Sequence, residues 1–152
     1  MPRRESFTYT VQARCTPAEA VALLADPQRQ ADLHPLIVRV RRIRTRPGAR
    51  ASYAITDRLA VGPLRLPLTY RADVLVADPD EVVTMARQRP ATTVRNHTRL
   101  RAEPDGVVRI DVEITLTAPA PLFGYAFAQA RAAHLALASR LGAALDQGRP
   151  ST

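Results

Sequence analysis

The feature that most constrains this chain lies near its C-terminus. Between Pro121 and Leu145, Phe123, Phe127, Ala130, His134, Leu137, Leu141 and Ala144 recur at steps of four and three. Steps of that size return a side chain to one face of an α-helix, which completes a turn in about 3.6 residues. Six of the seven are apolar, and the other is a histidine in the middle of the stripe. Back to about Leu36, the chain before this segment alternates with period two, as antiparallel strands do. A long helix with one polar group on its apolar face, laid against a curved sheet, implies a pocket rather than a solid core.

The rest of the chain divides at turn chemistry. Glu5 to Arg14 sets Phe7, Tyr9, Val11 and Ala13 on one face and Ser6, Thr8, Thr10 and Gln12 on the other, a half-buried strand. Thr16-Pro17-Ala18-Glu19 supplies an N-cap, a proline at the first helical position and a glutamate three residues after the cap, so a helix to about Ala25 follows. Asp26-Pro27 repeats the signal for a second short helix, halted before Pro35. Strands are expected at Leu36–Thr45, Ala51–Leu59, Leu64–Ala77, Glu81–Arg89, Thr92–Glu103 and Val107–Thr117. Pro47-Gly48, Gly62-Pro63, Asp78-Pro79-Asp80, Pro90 and Pro104-Asp105-Gly106 separate them, and links this short favour an antiparallel meander. Gly148 to Thr152 reads as a frayed tail.

At 152 residues and 46% hydrophobic, the chain suits one soluble domain with one core. No apolar run reaches the length of a membrane span, and the N-terminus lacks the apolar centre of a secretory signal. The single cysteine, Cys15, fits a reducing cytoplasm. Three scattered histidines and no paired cysteines match no metal-ligand spacing, and no Gly-rich phosphate loop or nucleophile elbow is present, so neither a metal nor a cofactor is expected. All 22 basic residues are arginine, which excludes a Schiff-base lysine and gives a net charge of +8. The arginines scatter rather than forming one basic motif.

The order strand, two short helices, six strands and long C-terminal helix resembles the START-like (SRPBCC) superfamily, which includes polyketide cyclases and aromatases, lipid-transfer domains and ubiquinone-binding proteins. Phe7–Ala13, followed by Thr16-Pro17-Ala18-Glu19-Ala20-Val21 and Leu24-Ala25-Asp26-Pro27, carries the most specific part of the likeness. The resemblance implies an α+β helix-grip fold, a seven-stranded antiparallel sheet wrapped around the C-terminal helix. It also implies a ligand cavity between sheet and helix. Residues 1–148 would form one ligand-binding domain and 149–152 a disordered tail.

Side-chain parity then nominates the lining. Val108, Ile110, Val112, Ile114 and Leu116 share the inner face of the last strand, and Val94, Asn96, Thr98 and Leu100 that of the strand before it. Leu66, Leu68, Tyr70, Ala72, Val74 and Val76 are expected inward, as are Tyr53, Ile55, Asp57 and Leu59. Glu81–Arg89 is ambiguous, since Val83 and Met85 inward would bring Arg87 with them. The expected ligand-binding set is Tyr53, Tyr70, Val94, Asn96, Thr98, Val112, Ile114, Phe127 and His134. His134, Asp57 and Tyr70 are the candidates for acid–base chemistry. His34, before Pro35, reads as a helix-ending surface residue near the cavity entrance, and His97 falls on the outer face with no catalytic role.

Three functions compete. The first is binding or carriage of a small hydrophobic ligand: a lipid, an isoprenoid or a polyketide-like molecule. The second is a cyclase, aromatase or dehydratase acting on a similar ligand. The third uses the outer sheet face, where Arg39, Arg41, Arg65, Arg71, Arg95, Arg99, Arg101 and Arg109 could meet anionic lipid or nucleic acid. Outward positions lack aromatics for base stacking, and Asp73, Asp111 and Glu113 interrupt the basic field, which disfavours nucleic acid. A homodimer stays open.

Overall fold

The computed structural model describes residues 1–61 and 63–147. Its elements run β1 (Pro2–Arg14), α1 (Pro17–Leu24), α2 (Pro27–Gln30), β2 (Ile37–Ile43), β3 (Ala51–Val61), β4 (Leu64–Asp78), β5 (Glu81–Gln88), β6 (Thr92–Glu103), β7 (Val107–Pro119) and α3 (Ala120–Gln147). The expected tail at Gly148 to Thr152 lies outside the described residues.

The strands form one antiparallel sheet in the order β1-β7-β6-β5-β4-β3-β2. Hairpins make every neighbour except one. β1 instead crosses to pair with β7 along its whole length, from Pro2 opposite Pro119 to Arg14 opposite Val107. The turns behave as their chemistry requires: Gly48 and Gly106 sit at φ of 87° and 74°, where a β-carbon is disfavoured.

Local signals place the short helices. The Thr16 hydroxyl accepts from the Glu19 amide at 3.1 Å while the Glu19 carboxylate accepts from the Thr16 amide at 3.3 Å, a complete capping box. Asp26 caps α2 by accepting from the Gln28 amide at 3.0 Å. The Gln30 side chain then donates to the carbonyls of Leu23 and Leu24, tying α2 to the open end of α1.

α3 packs chiefly on β1 and β7. Phe123, Leu137 and Leu141 are buried as their spacing predicts, each contributing about 1.5–3 kcal/mol of apolar burial. Phe127 and Ala144 are only half-buried, while Ala133 and Leu145 are buried beside the stripe. The covered face is thus wider than the seven-residue stripe, as on helices that pack on a sheet. The main core joins Val11, Ala13 and Cys15 with Leu23, Leu24, Val82, Leu100, Val108, Ile110, Val112, Ile114 and Leu141.

One inner-face expectation needs correction, and one open phase is settled. A bulge between Val74 and Val76 shifts the register of β4, so Val76 turns outward and Ala77 packs inward against Tyr53, Ile55, Ala72 and Val74. On β5, Val82, Thr84 and Ala86 stand opposite Thr98, Asn96 and Val94. They therefore share the inner face, and Arg87 points outward.

Candidate ligand site

Register builds the concave face in rows. Phe7, Ile114, Asn96, Thr84 and Val74 form one row across five strands, and Tyr9, Val112, Thr98 and Val82 form the next. Apolar side chains dominate, as β-branched and aromatic residues do on a pleated surface. The polar exceptions cluster on β5 and β6. Thr98 donates to the Asn96 side-chain oxygen at 2.7 Å, and the Asn96 amide nitrogen has no partner among the described residues. Burial alone raises the Tyr9 hydroxyl to a pKa of about 12.

α3 brings the histidine of its stripe onto this face. The His134 ring lies 6.1 Å from Phe7 and 6.0 Å from His34, the latter edge to face at 87°. Phe7 in turn meets Phe127 edge-on at 5.7 Å, and Phe127 stacks on Phe123 at 5.5 Å. His134 as a residue is only partly covered, yet its Nδ1 is enclosed and has no hydrogen-bond partner among the described residues. Burial and then the neighbouring His34 lower the pKa of His134 to about 4. Burial and then the Arg140 charge do the same for His34. Both rings are therefore neutral near pH 7, each with one donor and one acceptor nitrogen. His34 Nδ1 accepts from the Leu36 amide at 3.2 Å, which places its proton on Nε2.

His34 is the residue that sequence reasoning undervalued. It is half-buried, and Arg140 of α3 donates to the adjacent Leu33 carbonyl at 3.1 Å, holding the segment after α2 against the helix. No periodicity marks a contact between residues a hundred positions apart.

A second polar group sits on β3 and β4. Tyr70 donates to Asp57 at 3.3 Å, with Tyr53, Ile55, Ala72 and Val74 packed together nearby. Asp57 is 8% exposed, and this burial raises its pKa to about 6 against the lowering effect of the Tyr70 hydrogen bond. Burial and then the Asp57 charge push the Tyr70 hydroxyl well above its usual value.

The expected lining residues thus fall into three groups. His134 and Phe127 share Phe7 as a neighbour, with Val94, Val112 and Ile114 packed in the adjoining core. Asn96 and Thr98 are bonded to each other, and Asp57 is bonded to Tyr70, with Tyr53 beside them. No hydrogen bond links one group to another among the described residues.

The outer face divides too. His97 bonds Glu81 at 2.7 Å, Arg109 pairs with Asp111 at 3.1 Å and Arg101 with Glu103 at 3.2 Å. Across β6 and β7 this is a charged surface laced with ion pairs, which contribute little to stability in water. No set of three or more His, Cys, Asp or Glu side chains among the described residues is placed to hold a metal, and no helix there is long and apolar enough to cross a membrane.

Residues 4–147 match the family described as polyketide cyclase / dehydrase and lipid transport. The chain belongs to that family. Its fold is the START-like helix grip, shared with a di-domain ARO/CYC protein of the steffimycin biosynthetic pathway at a TM-score of 0.73 and 13% identity over 95% of this chain and 51% of that one. It is also shared with a START superfamily protein from Mycobacterium smegmatis (TM-score 0.68, 13% identity, 93% and 97% covered). An aromatase/cyclase from Streptomyces sp. R1128 matches at 0.64 and 14%, with 91% and 94% covered. The chain spans about half the length of the di-domain protein. No curated protein matches it in sequence.

Proposed function

We propose that this family member binds and carries a small, largely apolar molecule, of the lipid, isoprenoid or polyketide kind, between the sheet and α3. The observation that carries the proposal is the enclosed, unpartnered Nδ1 of His134 among Phe7, Phe127 and His34. Leaving such an atom unsatisfied costs about 1–3 kcal/mol, which a polar group on a bound ligand would offset. The apolar rows accept the body of that ligand, and Asn96 offers a second donor. Family membership supports the same class of cargo. We place this binding in the cytoplasm, because the single cysteine calls for no oxidising compartment.

Native mass spectrometry of the purified protein tests it directly, with a co-purified small molecule as the expected result. His134→Leu should keep the fold and weaken binding of that molecule by up to about tenfold, the equivalent of one hydrogen bond. Unchanged affinity in this variant would remove His134 from the site.

A second function, cyclisation or dehydration of a polyketide-like ligand, draws on Asp57. A carboxyl with a pKa of about 6, bonded to a buried phenol, is suited to moving protons near neutral pH. His134, lowered to about 4, is unprotonated near neutral pH and is a weaker base than Asp57. Asp57→Asn should then cut turnover by about 10²–10⁴-fold while binding persists. Turnover that survives the change would leave carriage as the function.

A further inference from the structure

β4 outruns its neighbour. It pairs with β5 only from Arg71 opposite Arg87 onward, so Leu64 to Tyr70 bond to β3 alone. Where the strands part, a notch of about 620 Å³ opens in the sheet. Inward-facing Leu68, Tyr70 and Gln88 line it together with outward-facing Arg71 and Arg87 and the adjacent Arg89. Arg71 is also a wall of a second hollow of about 450 Å³, which Arg44 and Arg46 complete. No acidic side chain lines either one.

Arg71 is held in place. It donates to Asp73 at 3.1 Å, and to the Ser52 hydroxyl and the Arg44 carbonyl at 3.2 Å each. Among the described residues Asp73 is the one carboxylate in contact with these arginines, and Arg46 approaches it at 3.9 Å. Arg87 and Arg89 make no ion pair or side-chain hydrogen bond with any described residue. Arg71 and Arg87 stand directly opposite on one face, a like-charge pairing that destabilises a sheet unless an anion lies between them. On β6 and β7 Arg101 and Arg109 have carboxylate partners, whereas at the notch Arg87 and Arg89 have none among the described residues and stand beside Arg71.

We propose that this notch binds a phosphate group, with Arg87 and Arg89 contacting its oxygens beside the fixed Arg71. Guanidinium forks match phosphate geometry, and a preorganised arginine loses less freedom on binding. The notch is lined by side chains of both faces, so the proposed ligand is an amphiphile: a phosphate at the arginines and an apolar tail running past Leu68 and Tyr70 toward the concave face. The tail's path rests on the apolar site proposed above, whereas the phosphate contact stands without it. Only Tyr70 among the lining residues is aromatic, which gives a nucleic acid no stacking platform.

Calorimetric titration with decyl phosphate and with decanol, below their aggregation limits, separates the two parts. The wild-type protein should bind decyl phosphate at least about tenfold more tightly, an advantage that shrinks with added salt. In the double variant Arg87→Gln/Arg89→Gln the advantage should vanish while decanol affinity is unchanged. Equal affinities in the wild type would overturn the phosphate site and leave the apolar site standing. If decanol fails to bind but pyrophosphate raises the melting temperature of the wild type and not of the double variant, the phosphate site stands and the apolar site falls. Absence of both effects overturns it. Cosedimentation with phosphatidic acid vesicles, lost in the double variant, would assign the phosphate to a bilayer headgroup; decyl phosphate binding without cosedimentation assigns it to a ligand taken up singly. A single-stranded oligonucleotide that displaces decyl phosphate at moderate salt would overturn the small-ligand assignment.

Discussion

The two halves of the concave face differ sharply. Under α3, along β1 and β7, Ile110, Ile114, Leu116, Phe123 and Leu141 are each less than 2% exposed. At the far end of β4, inward-facing Leu64 and Leu66 remain 59% and 47% exposed. The first half resembles any close-packed core, where apolar burial sets the stability. The second half keeps Asp57, Tyr70 and the neighbouring notch, where titration and charge are shifted from ordinary values. Among the described residues, the closed half supplies most of the apolar burial and holds a single unpartnered histidine nitrogen, whereas the open half holds a buried carboxyl–phenol pair and unpaired arginines.

The largest expected effect tests that difference. Leu141→Asp puts an unpaired charge in the closed half and should cost about 5 kcal/mol or more, on the order of the whole folding free energy. Leu66→Asp, in the open half, should stay within about 0.5 kcal/mol in the same denaturant titration. Similar losses in both would break the comparison.

Titration sharpens it at intermediate magnitude, with opposite signs in the two places. Asp57 has a folded pKa of about 6 against 3.8, so its favourable contribution is complete below pH 3.8 and lost as pH rises through 6. Asp57→Asn should therefore be more stable than wild type by about 1–3 kcal/mol at pH 7.5 and equal to it below pH 4. His134 has a folded pKa of about 4 against 6.5, so its contribution is complete above 6.5 and lost as pH falls through 4. His134→Leu should flatten the acid limb of the stability profile between those values, again by about 1–3 kcal/mol. Parallel profiles for variant and wild type would show that the group is not desolvated in solution.

The smallest effect compares the two ends of α3. A β-carbon at Gly124 meets nothing within 4 Å, so Gly124→Ala should stabilise by about 0.5–1 kcal/mol through helix propensity. At Gly142 it would meet the Val11 side chain at 3.3 Å, and the gain should shrink or reverse. Equal gains in thermal melts would mean that β1 yields easily at the gripped end.

Much of the architecture was legible locally. The capping box at Thr16, the alternation of β7 and the helical spacing around Leu141 each repeat within a few residues, and the elements follow them. The candidate site was legible only in part. Parity on β6 brought Asn96 and Thr98 to the inner face, and the stripe brought His134 there. The phase of β5 was not legible, because both Val82 and Val83 are buried, on opposite faces, and apolarity cannot choose between them. The same ambiguity hid the bulge that turns Val76 outward, since Val74, Leu75 and Val76 are all apolar.

By itself, then, the sequence determined element order, the alternation of most strands and the face of α3, because those depend on neighbours along the chain and on the fixed periods of strand and helix. The tertiary structure alone decided that His34 meets His134, that Asp57 and Tyr70 sit in surroundings that raise their pKa values, and that Arg71 and Arg87 stand opposite at an open notch. Each of those depends on register and on how far one strand outruns another. Such quantities arise when distant segments pack, and no local pattern encodes them.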